Sequence, residues 1–202
     1  PSRGLGDVYK RQVLICRTMA RLGYDVKLSE TAQPNLSVNG TSDAAAVQET
    51  AEPFDAAAAK QDIIDRTNAL RRENGVSVLT VNDKLMQAAQ VRADEMAAHT
   101  VYSHTRPNGG KFNTVTDCPY MAENIHRIAD WVLSDQTLAE RAVADWYAST
   151  VHHKNMVNPK LSEIGVGLAR GVNDTGDPCW YCVQLFLYDG CSVTRVDTPA
   201  NK

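Results

Sequence analysis

No stretch of this sequence is long and apolar enough to cross a bilayer. The longest apolar runs, residues 13–16 and 179–188 with Gln184 inside the second, fall far short of the ~20 residues a spanning helix needs. An excess of positive charge is also missing. A net charge of −3 gives no electrostatic basis for a nucleic-acid surface, and that partner class is set aside. No second CxxC or CxxH follows the Cys179-x-x-Cys182 pair, which argues against a closed structural zinc site. No signal-peptide pattern is legible at the start. Residues 1–12 fit nothing that follows them and read as a non-native or truncated beginning.

What is present supports one domain with an appendage. Residues 13–55 read as an upstream remnant and a linker. Val13, Cys16, Met19, Ala20 and Gly23 share a helical face, and then an Ala-, Thr-, Ser- and Asn-rich stretch bracketed by Pro34 and Pro53 reads as disordered. Residues 56–192 carry the folding signals, and residues 193–202 read as a C-terminal tail. A helix is expected over 56–74, with Ile63, Ile64, Thr67 and Leu70 on one face and Gly75 as its stop. After a short extended link over 76–81, Asn82 or Asp83 caps a second helix reaching about His99. Its face is Leu85, Ala88, Ala89, Arg92 and Met96, with Arg92 laying its stem over apolar surface. A polar loop over 103–110 follows. A third helix is expected from Ser134 or Asp135 to about Ala148, then a helical turn over 149–157. Strands are expected over 163–169 and 180–187, joined by a turn at Asn173, Asp174, Gly176 and Pro178. Helices first and paired strands later predict an α+β domain with a mainly antiparallel sheet.

Cys118, Cys179, Cys182 and Cys191 are an even set in the second half, which fits two disulfides and an oxidising compartment. Cys179 and Cys182, three apart on a strand, face opposite ways and do not bridge each other. Cys118 is therefore expected to pair with one of them and Cys191 with the other. Four free thiols is the third option.

His104, Glu123 and His152 are the candidate site. Two imidazoles and a carboxylate are the minimal set for a transition-metal site with open positions, and they serve equally as a hydrogen-bonded cluster. Spacing alone does not choose. The strings Ser103-His104-Thr105-Arg106-Pro107-Asn108-Gly109, Ala122-Glu123-Asn124, Trp146 followed by Ser149-x-x-His152-x-x-Asn155, Ile164-Gly165-Val166-Gly167 and Val183-Gln184-Leu185-Phe186 together resemble the CAP superfamily. That superfamily groups cysteine-rich secretory proteins, antigen 5 and pathogenesis-related proteins, and the form here is similar to its bacterial, SCP-like branch. The resemblance spans about residues 62–188. It implies a three-layer α-β-α sandwich and a cleft lined by two His and two acids. His104, Glu123 and His152 match three of these. Ser149 stands where the second acid is expected, so the tetrad is incomplete. Asn124, Asn155 and Arg106 read as structural support, and Gly165 and Gly167 as points of close backbone approach.

The resemblance implies a secreted or cell-surface binding module. Its cleft would hold Zn²⁺ or another divalent cation and take a lipid, glycan or protein ligand, with cell-wall association through an N-terminal region. The alternative is a metal-dependent, peptidase-like hydrolase. If Glu123 ligates the ion, Ser149 leaves no carboxylate at the family position to act as base, so the balance falls against an enzyme.

Overall fold

The apolar spacing of residues 63–70 becomes helix α1 (Ala56–Glu73), which buries Ile63, Ile64, Thr67 and Leu70, in the computed structural model. The structure describes residues 54–133 and 136–200. Residues 1–53, read from sequence as start, remnant and linker, lie outside it, as do Ser134 and Asp135. Gly75 ends α1 with a left-handed φ of 68°. The turn closes through the Val76 N–H, which donates to the Arg71 carbonyl at 2.9 Å. Arg71, fully buried, donates to the carbonyls of Ser77, Met156, Asn158 and Leu161. One guanidinium thus ties the end of α1 to chain 85 to 90 residues further on.

Helix α2 (Asp83–His99) starts at Asn82, whose side chain accepts from the N–H groups of Lys84 and Leu85, two of the donors a helix start leaves unpaired. Helix α3 (Leu138–Ala148) begins later than its sequence suggests. Thr137 and Glu140 form a capping box there, so the reciprocal cap chooses the boundary rather than Ser134 or Asp135. Helix α4 (Thr150–Met156) follows after Ser149.

The sheet has the order β1-β3-β4-β2. Strand β1 (Thr80–Val81) is parallel to β3 (Leu161–Val172), and β4 (Pro178–Tyr188) pairs antiparallel with β3 on one side and with β2 (Met121–Ala129) on the other. Helix α2 packs on one face of the sheet, and α1, α3 and α4 pack on the other side. This is the mixed three-layer arrangement expected. Strand β2 is the element missing from the sequence reading. Its residues do not alternate apolar with polar, because both faces of this edge strand carry polar groups.

Gly165 and Gly167 lie where β3 meets α2. A Cβ on Gly165 would stand 2.1 Å from the Leu85 carbonyl carbon, and one on Gly167 would stand 2.0 Å from the Ala89 oxygen.

The C-terminal segment folds back along the chain that enters β2. The Asp197 N–H donates to the Val115 carbonyl (2.8 Å) and the Asp117 N–H to the Arg195 carbonyl (3.3 Å). Asp117 accepts from the Thr194 hydroxyl and from the N–H groups of Thr194 and Arg195. These bonds, the Thr194 hydroxyl first, bring its carboxyl down to about 2.

The cysteine pairings expected from sequence are not formed; Cys118, Cys179, Cys182 and Cys191 are free thiols. Strand register explains why. Cys179 and Cys182 sit opposite Ala129 and His126, whereas the start of β2, just after Cys118, sits opposite Leu187. At ~3.3 Å per residue, about 15–25 Å of strand separates them.

Candidate functional site

The site forms across the open edge of β2, where the two helical layers meet. From the α2 side, Arg92 is fully buried rather than laid along the surface. Its Nε donates to Glu123 Oε1 (3.0 Å), Nη1 to Glu95 Oε2 (2.7 Å) and Nη2 to the Ser103 carbonyl (2.7 Å). Arg106 Nη2 and Nε donate to Glu95 Oε1 at 2.7 and 3.0 Å. Arg106 Nη1 donates to Asp197 Oδ2 at 3.2 Å, and the Ala200 N–H donates to Glu95 Oε1 at 2.8 Å. Two guanidiniums thus meet two carboxylates with almost no solvent contact. Burial alone would raise the Glu95 carboxyl. The bonds from Arg106, Ala200 and Arg92 outweigh it and hold the pKa below its ordinary value.

Glu123 passes this order on to His104. Its Oε2 lies 2.6 Å from His104 Nδ1. A carboxylate only accepts, so the proton of this bond sits on His104 Nδ1, which leaves Nε2 as the second nitrogen of the ring. The His104 side chain is 53% exposed although its anchor is at 0%.

From the opposite layer, His152 is held through its backbone. Asn124 Nδ2 donates to the His152 carbonyl (3.2 Å) and to Gln184 Oε1 (3.0 Å). Asn155 Nδ2 donates to Asn124 Oδ1 (2.9 Å), and Gln184 Nε2 donates to the Thr67 hydroxyl (2.8 Å). This chain of short amides fixes α4 to the sheet. The Ile125 carbonyl takes donors from both layers, Tyr102 Oη–H and Trp146 Nε1–H, each at 3.0 Å.

Strand β2 brings in a third imidazole. His126 Nε2 is 2.7 Å from Asp145 Oδ2, which also accepts from Arg141 Nε at 2.6 Å. Burial would raise the Asp145 carboxyl, but these two partners bring it below its ordinary value. Ser149 joins α3 to α4 through its backbone, and its side chain makes no capping bond. The carboxylate nearest to Ser149 in α3, Asp145 four residues before it, bonds His126 and Arg141. His153 sets its ring edge-on to Tyr147 at 4.7 Å.

Both Glu123 oxygens are committed, to Arg92 and to His104. Among the described residues, no three of His, Cys, Asp and Glu are grouped to hold an ion. Glu123 orients the His104 imidazole.

The model of the cysteine-rich secretory protein (CAP) family matches residues 64–186, a span that contains Arg92, His104, Glu123 and His152. The chain belongs to the CAP family. It is 26% identical over 159 residues to the uncharacterized protein YkwD of Bacillus subtilis strain 168, across 71% of this chain and 60% of the relative's length. An outer surface protein of Borrelia burgdorferi shares the fold at a TM-score of 0.50 with 17% identity, over 67% of this chain and 96% of that one. An extracellular SCP-domain protein of Bacillus anthracis str. Ames aligns at a TM-score of 0.49 with 22% identity, over 69% and 45% of the two chains.

Within this CAP domain, sequence reasoning passed over Glu95, Tyr102, His126 and Asp145. Glu95 had a signal. It shares the buried stripe of α2 with Arg92, three residues earlier, and two opposite charges on a helix face otherwise apolar imply a buried pair. His126 and Asp145 had none while β2 was unrecognised.

Burial first, then the charges of His104 and His126, hold the His152 imidazole below its ordinary 6.5. A base whose pKa folding depresses takes its proton first in the unfolded chain. Stability is then full above about pH 6.5 and declines as pH falls from there toward the folded-state pKa. The melting temperature is expected to drop between about pH 7 and pH 5.5, and His152→Gln is expected to flatten that drop. An identical slope in the variant would remove His152 as the cause.

Proposed function

We propose that this CAP domain is an extracellular binding module whose recognition element is the His104–His152 cleft. The observation that carries this is the bonding of His104. An exposed imidazole is fixed by a fully buried carboxylate, which is itself fixed by a fully buried guanidinium. A side chain held that firmly loses little freedom on binding, so its contact with a ligand is not offset by ordering. The extracellular placement draws on the Borrelia protein, named as an outer surface protein. No helix among the described residues is long and apolar enough to cross a membrane. The ligand class is a lipid, glycan or protein that meets the cleft rim.

A divalent cation such as Zn²⁺ fits this reading as a ligand shared by the two imidazoles, with the remaining positions open to the partner. Bound there, it would supply Lewis acidity. The hydrolase alternative needs Glu123 as ligand or base, whereas its two oxygens are already engaged as the link between Arg92 and His104.

Calorimetric zinc titration of the whole chain at neutral pH, beside His104→Ala and His152→Ala, tests the arrangement. Near-stoichiometric binding abolished by either substitution is expected, with affinity falling as pH drops because imidazole must be neutral to ligate. Binding that survives both substitutions would remove the cation from this cleft. Unchanged retention of surface glycans, vesicles and proteins by the double variant would overturn the cleft as the recognition element.

A further inference from the structure

We propose that Cys118 and Cys191 are a disulfide-forming pair that staples the C-terminal strap (residues 189–200) to the segment entering β2. The placement follows from the bonds on either side of them. Before Cys191, the Tyr188 N–H donates to the Tyr120 carbonyl (3.3 Å). After it, Thr194 and Arg195 are held by Asp117, and Val196 bridges Thr116. The two segments thus run antiparallel with residue 120 opposite 188 and residue 117 opposite 194–195. Cys118 and Cys191 both fall inside that interval. Cys118 belongs to the buried core and Cys191 packs against it, partly exposed. Partial burial, and then the Cys118 thiol that shares a hydrogen bond with it, push the Cys191 thiol up. Cys179 and Cys182 have no such approach to either.

Exposure sets the order of the chemistry. The Cys191 thiolate attacks one sulfur of a small-molecule disulfide, forming a mixed disulfide and releasing one small thiolate. The Cys118 thiolate then attacks the Cys191 sulfur and expels the second. The protein loses two electrons and two protons, which leave on two molecules of small thiol. The product fixes the strap whose Asp197 and Ala200 complete the Arg106–Glu95 cluster. The inference is independent of what the cleft binds.

The whole chain, reduced and then incubated with glutathione disulfide at about pH 8.5 to supply thiolate, is to be compared with Cys118→Ser and Cys191→Ser. The expected result is a mass loss of about 2 Da with no retained glutathione. A peptide map should show Cys118 joined to Cys191, with Cys179 and Cys182 still open to alkylation after unfolding. Closing so long a loop should raise the melting temperature by on the order of 10 °C over the reduced chain, a gain absent in both variants. Reduced wild type is the reference, so a poorly folding variant does not decide the result. Cys118 and Cys191 both free after incubation, or joined instead to Cys16, to Cys179 or to another chain, would overturn the proposal.

Discussion

Arg92→Leu is expected to destabilise the domain by about 3–5 kcal/mol, the range for removing one member of a fully buried ion cluster. The cost does not come from a lost cavity wall. The Arg92, Glu95 and Glu123 side chains are all at 0% exposure, and removing the guanidinium takes a partner from both carboxylates at once. Glu95 keeps Arg106 and the Ala200 N–H. Glu123 keeps only His104. A buried carboxylate left with one side-chain partner is poorly compensated, and the support it gives the His104 imidazole changes with it. Denaturant titration should show the midpoint moving at constant slope. Arg141→Leu is the control. The Arg141–Asp145 pair is about one-third exposed on both sides, and its loss should cost under ~1 kcal/mol. Equal costs for the two variants would show that burial does not set the strength of the Arg92 cluster. Arg92→Lys should recover only part of the stability, since one ammonium cannot replace three directed donors.

The same cluster shows what was legible in the sequence. The helical stripes of α1 and α2 and the β3–β4 hairpin follow from apolar spacing and turn residues, which are local signals. The His104–Glu123 contact joins two residues that the sequence singled out through short strings set in a known order. What stayed hidden depends on contacts far apart in the chain. Strand β2 carries Asn124 toward Gln184 and Thr67 on one face and Glu123 toward Arg92 on the other, so neither face reads as core. The cysteine partners depend on register. Cys118 lies at the Leu187 end of β4 and Cys179 at the Ala129 end, and only pairing order distinguishes the two ends. The start of α3 was misplaced because Ser134 and Asp135 are as good cap residues as Thr137. Glu140, three residues beyond Thr137, completes the box.

Gly167→Ala should cost at least ~3 kcal/mol, above the usual range for an added methyl group in a core, because the obstacle is backbone. The new Cβ would stand 2.0 Å from the Ala89 oxygen and 2.2 Å from its carbonyl carbon, and no rotamer change relieves that. Strand β3 cannot retreat, since it is held by β1 on one side and β4 on the other. Helix α2 is pinned at its start. The Asn82 N–H donates to the Ile164 carbonyl (3.1 Å), and the Asn82 side chain caps the helix while bonding Glu163. A helix forced outward at Ala89 carries Arg92 with it, one turn further along, and so loosens the anchor of His104. The variant should melt roughly 10 °C below wild type. Gly176→Ala separates this from a general intolerance of substituted glycine. Its φ is 88° with nothing within 4 Å of the added carbon, so only the left-handed backbone penalty of about 1 kcal/mol applies, and the cleft should be untouched. A Gly167→Ala protein as stable as Gly176→Ala would mean that α2 rides freely on the sheet, and the Arg92–Glu123 anchor would then be too loose to hold His104 in place.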